Sequence, residues 1–188
     1  MVRTVLAYLG YKGNQADDRV LENIELLRQE IEAIGEPKSV MGVWECAING
    51  DCVSFGGLHV NSPSLAKHMA GAKYIGAVAV TLGVQADMTI HRYSVTDMSK
   101  SVIADAVASV IINEFCGRVC NGLFGKPLLV GLNPTSRYSP GYGDFSLSYQ
   151  QALLDLLNAG KRIGLSTTDG QMLVPGKSVT ALVGYVEA

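Results

Sequence analysis

The chain has 188 residues, of which 48% are hydrophobic and 17% charged, with a formal net charge of −2. This length suits one domain spanning 1–188, and without any Lys/Arg run a nucleic-acid partner is not expected. No apolar run approaches the roughly 20 residues that cross a bilayer, and the start "MVRTVLAYLGYKG" lacks the apolar core of a signal peptide. The expectation is a soluble cytoplasmic protein with no membrane partner. Its charged fraction is below the usual value of about 25%, so much of the chain is buried or part of its surface meets a partner.

From the N-terminus, "LAYLGYKGN" reads as a short apolar run ending in a Gly-rich turn. In "DDRVLENIELLRQEIEAIG", Val20, Leu21, Ile24, Leu27, Ile31 and Ile34 recur every three or four residues, which predicts an amphipathic helix. Asp17 or Asp18 caps its start and Gly35 ends it; a ligand contact by either Asp is the less favoured reading. "SVMGVWECAINGDCVSFGGLHV" reads as a hairpin turning at Asn49-Gly50, with Trp44 as a core residue. "NSPSLAKHMAGA" predicts a short helix capped by Asn61 or Ser62, and "KYIGAVAVTLG" a fully buried strand. His91, in "MTIHRYS", reads as a surface residue.

The helix signal is strongest in "TDMSKSVIADAVASVIINEFC", with Asp97 or Thr96 as the cap at its start. Val102, Ile103, Ala106, Val107, Val110 and Ile111 form one stripe, and Ser101, Ala104 and Ala108 a second, small-residue face, so burial on both sides is expected. Asp105 lies off the main stripe. "LSYQQALLDLLNAG" predicts a later helix stopped by Gly160, and "KRIGLSTT" and "SVTALVGYVE" a closing strand pair joined by "DGQMLVPGK". Together these elements predict an α+β fold with a mostly antiparallel sheet and packed helices. The four cysteines read as reduced buried thiols; Cys116 and Cys120 share a helix face, and the scattered histidines predict no metal site.

The segment "RYSPGYGDF", 137–145, stands out. As a turn it explains Pro140, Gly141, Gly143 and a helix cap at Asp144 or Ser146. As a ligand loop it also explains the rest: Arg137 offers a planar fork for a carboxylate or phosphate, glycine admits a ligand to the backbone, and Tyr142 stacks or donates. Both readings stand on the residues alone. Ser166, Thr167, Thr168 and Asp169 form a turn by composition, and contact a ligand only if that turn folds beside Arg137.

The spacing Arg137-x-x-x-Gly141-Tyr142, with Pro140 before the glycine, resembles the S-adenosylmethionine motif of the activation domain of cobalamin-dependent methionine synthase. "IADAVASVI", with Asp105, resembles that family's long helix. "LSTTDGQMLVPGKSVTALVGY" resembles its later segment through Thr168, Asp169, Met172, Pro175, Gly176, Ser178 and Val179. The likeness is strongest over residues 97–185, and "YLGYKG" resembles stand-alone members.

The resemblance implies that Arg137 holds the methionine carboxylate of S-adenosylmethionine. Backbone near Ser139, Pro140 and Gly141 then meets the adenine, Tyr142 lines the adenosyl or sulfonium region, and Asp105 is an acid that either faces the ligand or stands behind a residue that does. It implies a cobalamin supplied by a partner methionine synthase or related corrinoid protein. That cobalamin is reduced by one electron from flavodoxin or another donor and then remethylated, so the chain is an accessory component of the methyltransferase. The family's acid four residues after the Asp is Ser109 here. Two other readings stay open: a catalytically silent interaction subunit, and an unrelated small-anion-binding protein.

Overall fold

The computed structural model describes residues 1–11, 16–169 and 171–187. Its frame is a six-stranded, wholly antiparallel sheet whose strands lie side by side in the order 58–61, 52–55, 38–49, 72–81, 178–187 and 132–134. The strands are β1 (Lys38–Asn49), β2 (Cys52–Phe55), β3 (Leu58–Asn61), β4 (Ala72–Thr81), β5 (Leu132–Pro134) and β8 (Ser178–Glu187). A separate hairpin pairs β6 (Ser166–Thr168) with β7 (Met172–Val174). The α+β class and the antiparallel sheet are those expected from the sequence.

Helices cover both faces of the sheet. On one side lie α1 (Val2–Tyr8), α2 (Asp18–Ile34), α4 (Val84–Thr96) and α5 (Met98–Gly122). On the other lie α3 (Pro63–His68), α6 (Gln150–Leu157) and α7 (Ala159–Ile163). Side chains alternate along a strand, so Val78 and Val80 enter the first core while Ile75, Ala77 and Ala79 enter the second. In β8, Ala181, Val183 and Tyr185 face the first core and Leu182 the second. Coverage on both faces is why β4 reads as a continuous apolar run. The small-residue face of α5, with Ala104 and Ala108 both fully buried, allows close packing against its neighbours.

Several local expectations are met. Asp17 caps α2 by accepting from Val20 N, Ser62 caps α3, and Asp97 caps α5. Trp44 is half-buried against the second core.

Others are corrected. The N-terminal apolar run is the helix α1, whose Val5 and Leu6 are buried; the expected turn at Gly13-Asn14 lies outside the described residues. The expected single hairpin is a three-stranded meander, because Gly56 and Gly57, both at positive φ, turn the chain a second time. Residues 84–96 form a helix whose apolar period is interrupted by exposed Val84, Met88 and Val95. Val102, placed in the buried stripe of α5, is 54% exposed.

Gly160 does not stop the late helix. Asn158, in the left-handed region at φ +53, ends α6, and Gly160 sits within α7. The closing strands do not pair with each other: β6 pairs with β7, and β8 lies between β4 and β5. Ten residues with apolar side chains toward both faces suit an interior strand.

Candidate functional site

After β5 the chain continues antiparallel beside β8. Thr135 N donates to Gly184 O at 2.8 Å, and Tyr138 exchanges backbone bonds with Leu182 at 2.9 and 2.8 Å. Neighbouring residues along such an extended segment point to opposite faces. Tyr138 turns to the second core, where its ring lies 4.7 Å from His68, 5.6 Å from Tyr142 and 6.4 Å from Phe145 between centroids. Arg137 turns to the first side, and its Nη1 donates to Asn113 O of α5 at 3.4 Å.

Arg137 is half-buried beside the thiols of Cys116 and Cys120, one helical turn apart on α5. The hydrogen bond from the Cys120 thiol, then the Arg137 guanidinium, lowers the Cys116 pKa; sharing that bond raises the pKa of Cys120. Burial works against the Arg137 charge, but the Cys116 sulfur outweighs it and the guanidinium pKa is raised. Arg137 therefore stays a cation.

The remainder of the segment is an anchored loop. Gly141 N donates to Phe145 O at 2.7 Å and Tyr142 N to Ser139 O at 3.0 Å; Pro140 and Phe145 are buried. Gly141 (φ +95) and Gly143 (φ +53) occupy the left-handed half of backbone space. A Cβ on Gly143 would lie 2.5 Å from Ser64 Oγ and 2.8 Å from the Tyr138 hydroxyl, so that position has no room for a side chain.

Asp144 does not cap the following helix. Its carboxylate accepts from the Ser62 and Ser64 hydroxyls and from Ser64 N at the start of α3. These hydrogen bonds hold its pKa below the ordinary carboxylate value. Ser146 takes the local cap instead, accepting from Ser148 N at 3.1 Å. Tyr142 is 55% exposed.

Four depressions follow the outer side of α5. The first, of about 290 Å³, is lined by Cys120, Thr135, Ser136 and Arg137 among others. Arg137 also lines the second, of about 210 Å³, together with Tyr8, Asn113 and Glu114. Tyr8 joins that one to a third, of about 320 Å³, which includes Ser101, Val102 and Asp105. Asp105 joins the third to a fourth, of about 370 Å³, with Asp87, His91, Gly176 and Lys177. Along the helix axis, Asn113 beside Arg137 and Asp105 are about 12 Å apart at 1.5 Å per residue. Neighbouring depressions share wall residues, so the four form a discontinuous row, here called the groove, with Arg137 at its first junction and Asp105 at its last, while Ser139, Pro140, Gly141 and Tyr142 line none of the four.

At the Asp105 end a residue that the sequence reading passed over is decisive. Lys177 Nζ lies 2.7 Å from Asp105 Oδ1 and 3.0 Å from Ser109 Oγ. Ser109, where an acid was expected, is a polar contact for this ammonium. Asp87 on α4 holds the adjoining turn, accepting from Gly176 N at 2.5 Å and Lys177 N at 3.0 Å. Lys177 was legible only as part of "PGKSV", and Asp87 fell in a segment not assigned as helix.

Ser166, Thr167 and Thr168 are a strand rather than a turn. Thr167 Oγ1 lies 2.5 Å from Gln151 Oε1 of α6, on the side of the sheet away from Arg137. Among the described residues no group of three or more His, Cys, Asp or Glu is placed to hold a metal ion, and no helix is long and apolar enough to cross a membrane.

No protein-family model matches the chain, and neither does any curated protein sequence. Among solved structures, it superposes on "Crystal Structure of the MetH Reactivation Domain bound to AdoHcy" with a TM-score of 0.73. The match covers 97% of this chain and 74% of that one at 16% identity. The fold is that of the MetH reactivation domain. That agrees with the activation-domain fold implied by the resemblance in sequence, and at 16% identity the fold is what the likeness shows.

Proposed function

We propose that the chain binds S-adenosylmethionine and supports reductive remethylation of the cobalamin of a methionine synthase that lacks its own activation domain. The observation that carries this reading is Arg137: a half-buried cation at the junction of two depressions, on a fold whose solved neighbour is bound to AdoHcy. A guanidinium fork there suits the methionine carboxylate. The linked depressions have the size and mixed lining of a small-molecule site.

Arg137 orients the amino-acid end of the ligand, and Asp105 stands further along the groove toward the sulfonium. The sulfonium is already an activated leaving group, so the protein's task is positioning and access. With the sulfonium toward Asp105 the adenosyl group continues away from Arg137, so this pose assigns no contact to Tyr142, which is exposed beside Tyr138. In this reading the cobalamin is carried by the partner. Its reduced cobalt is the methyl acceptor, and flavodoxin or a similar protein is the proposed electron donor.

Calorimetry with S-adenosylmethionine tests the first step. Saturable heat at micromolar to millimolar ligand is expected; no heat at millimolar ligand with folded protein sinks the reading. A second reading, a silent interaction subunit, draws on the Lys177 pairing that cancels the Asp105 charge. Capture of a corrinoid protein without any response to S-adenosylmethionine selects it.

A further inference from the structure

Lys177 is fixed at its backbone and extended at its side chain. The Asp87 carboxylate grips the N–H groups of Gly176 and Lys177, which ties the turn before β8 to α4. From that anchor the side chain reaches α5, where Nζ meets Asp105 Oδ1 at 2.7 Å and Ser109 Oγ at 3.0 Å. The Lys177 side chain is only 16% exposed and that of Asp105 55%. The depression that Asp105 and Lys177 both line therefore already contains a cation against the Asp105 carboxylate.

Two features make this cation displaceable. The anchor on Asp87 uses backbone atoms alone, so the ammonium can leave Asp105 without moving the turn. A lysine stem is long and flexible, and an ion pair with a half-exposed partner is weakly held. We infer that Lys177 is an internal occupant of the groove's cation position. It neutralises Asp105, withdraws when a ligand's cationic group arrives, and so limits the preference for a sulfonium ligand over its neutral thioether counterpart. It is a positioning residue that acts through Asp105, and the inference rests on the S-adenosylmethionine reading. The same pairing explains why Ser109 serves here: an acid at 109 would give Lys177 a second counter-ion and hold it more firmly.

The test compares affinities for S-adenosylmethionine and S-adenosylhomocysteine by calorimetry in wild type, Lys177→Met and Lys177→Arg, with circular dichroism to establish folding. Removing one positive charge several ångströms from the sulfonium raises the affinity ratio, methylated over demethylated, by about three- to tenfold. Lys177→Arg keeps the charge and returns the ratio toward the wild-type value. In parallel, acylation of Lys177 by an N-hydroxysuccinimide acetate, read by peptide mass spectrometry, rises on saturation with S-adenosylmethionine and less with S-adenosylhomocysteine. If Lys177→Met does not fold, the acylation experiment on wild type decides alone. Binding of both ligands with an unchanged ratio, or acylation indifferent to S-adenosylmethionine, overturns this inference and leaves the binding reading intact. Binding of neither ligand to any form overturns both.

Discussion

At the Arg137 end of the groove a cation reaches the open depressions with a long 3.4 Å bond to a backbone carbonyl and the Cys116 sulfur beside it but no carboxylate in ion-pair range among the described residues, whereas at the other end the Asp105 carboxylate is already matched by Lys177 at 2.7 Å. The two residues were singled out by the same resemblance, yet they stand in different states of charge. An ionised side chain offers a ligand only the charge its neighbours leave uncancelled. The Arg137 end is therefore expected to dominate ligand affinity, and the Asp105 end to modulate it.

Arg137→Ala breaks the strong end. It should weaken S-adenosylmethionine binding by about 1.5–3 kcal/mol, the value of a charged hydrogen bond, as read by calorimetry; unchanged affinity would remove Arg137 from the site. Gly143→Ala separates the ligand role of the loop from its anchoring role. A Cβ at φ +53 against Ser64 and Tyr138 should cost about 1–3 kcal/mol of stability in urea denaturation. If stability holds, the loop is less tightly anchored than its contacts imply.

Asp105→Asn sharpens the contrast between the ends, because an ion pair whose carboxylate is half exposed contributes only about 1 kcal/mol. Its effect on affinity should fall well below that of Arg137→Ala; an equal loss would mean Lys177 does not neutralise Asp105 in solution. Asp144→Asn tests the anchor by pH. The Asp144 pKa is lowered by Ser62 and Ser64, so its contribution is present above the ordinary carboxylate pKa and lost as pH falls through its own. The variant's melting temperature should lie below wild type at pH 7, and the gap should close in acid. Smallest is Cys120→Ala, which removes the donor that is the principal cause of the lowered Cys116 pKa. The Cys116 thiolate, followed by its absorbance near 240 nm, should then form at higher pH than in wild type.

Much of the frame was legible because its signals are local. The period of Val20 to Ile34 marks α2, and the unbroken apolar run of β4 marks a strand covered on both faces. Failures occurred where local pattern and tertiary role diverge. Val102 continues the stripe of α5 by spacing but is left exposed. Residues 84–96 present Val84, Met88 and Val95 to solvent, which blurs the helical period. In the site, Arg137 and Asp105, singled out by pattern, each line two of the depressions along α5, and Ser139 to Tyr142 belong to a loop anchored by its own backbone bonds.

What the sequence determined by itself is the set of helix and strand periods, the caps at Asp17, Ser62 and Asp97, and a loop stiffened by Pro140 and opened by two glycines, since each depends on neighbours within a few residues. Tertiary structure alone decided that β8 joins β4 rather than β6, that Asp144 ties to α3, that Arg137 lies over Cys116 and Asn113, and that Lys177 spends its charge on Asp105. Those partners stand tens of residues away along the chain, and only the folded sheet, by sending alternate side chains to opposite faces, brings them together.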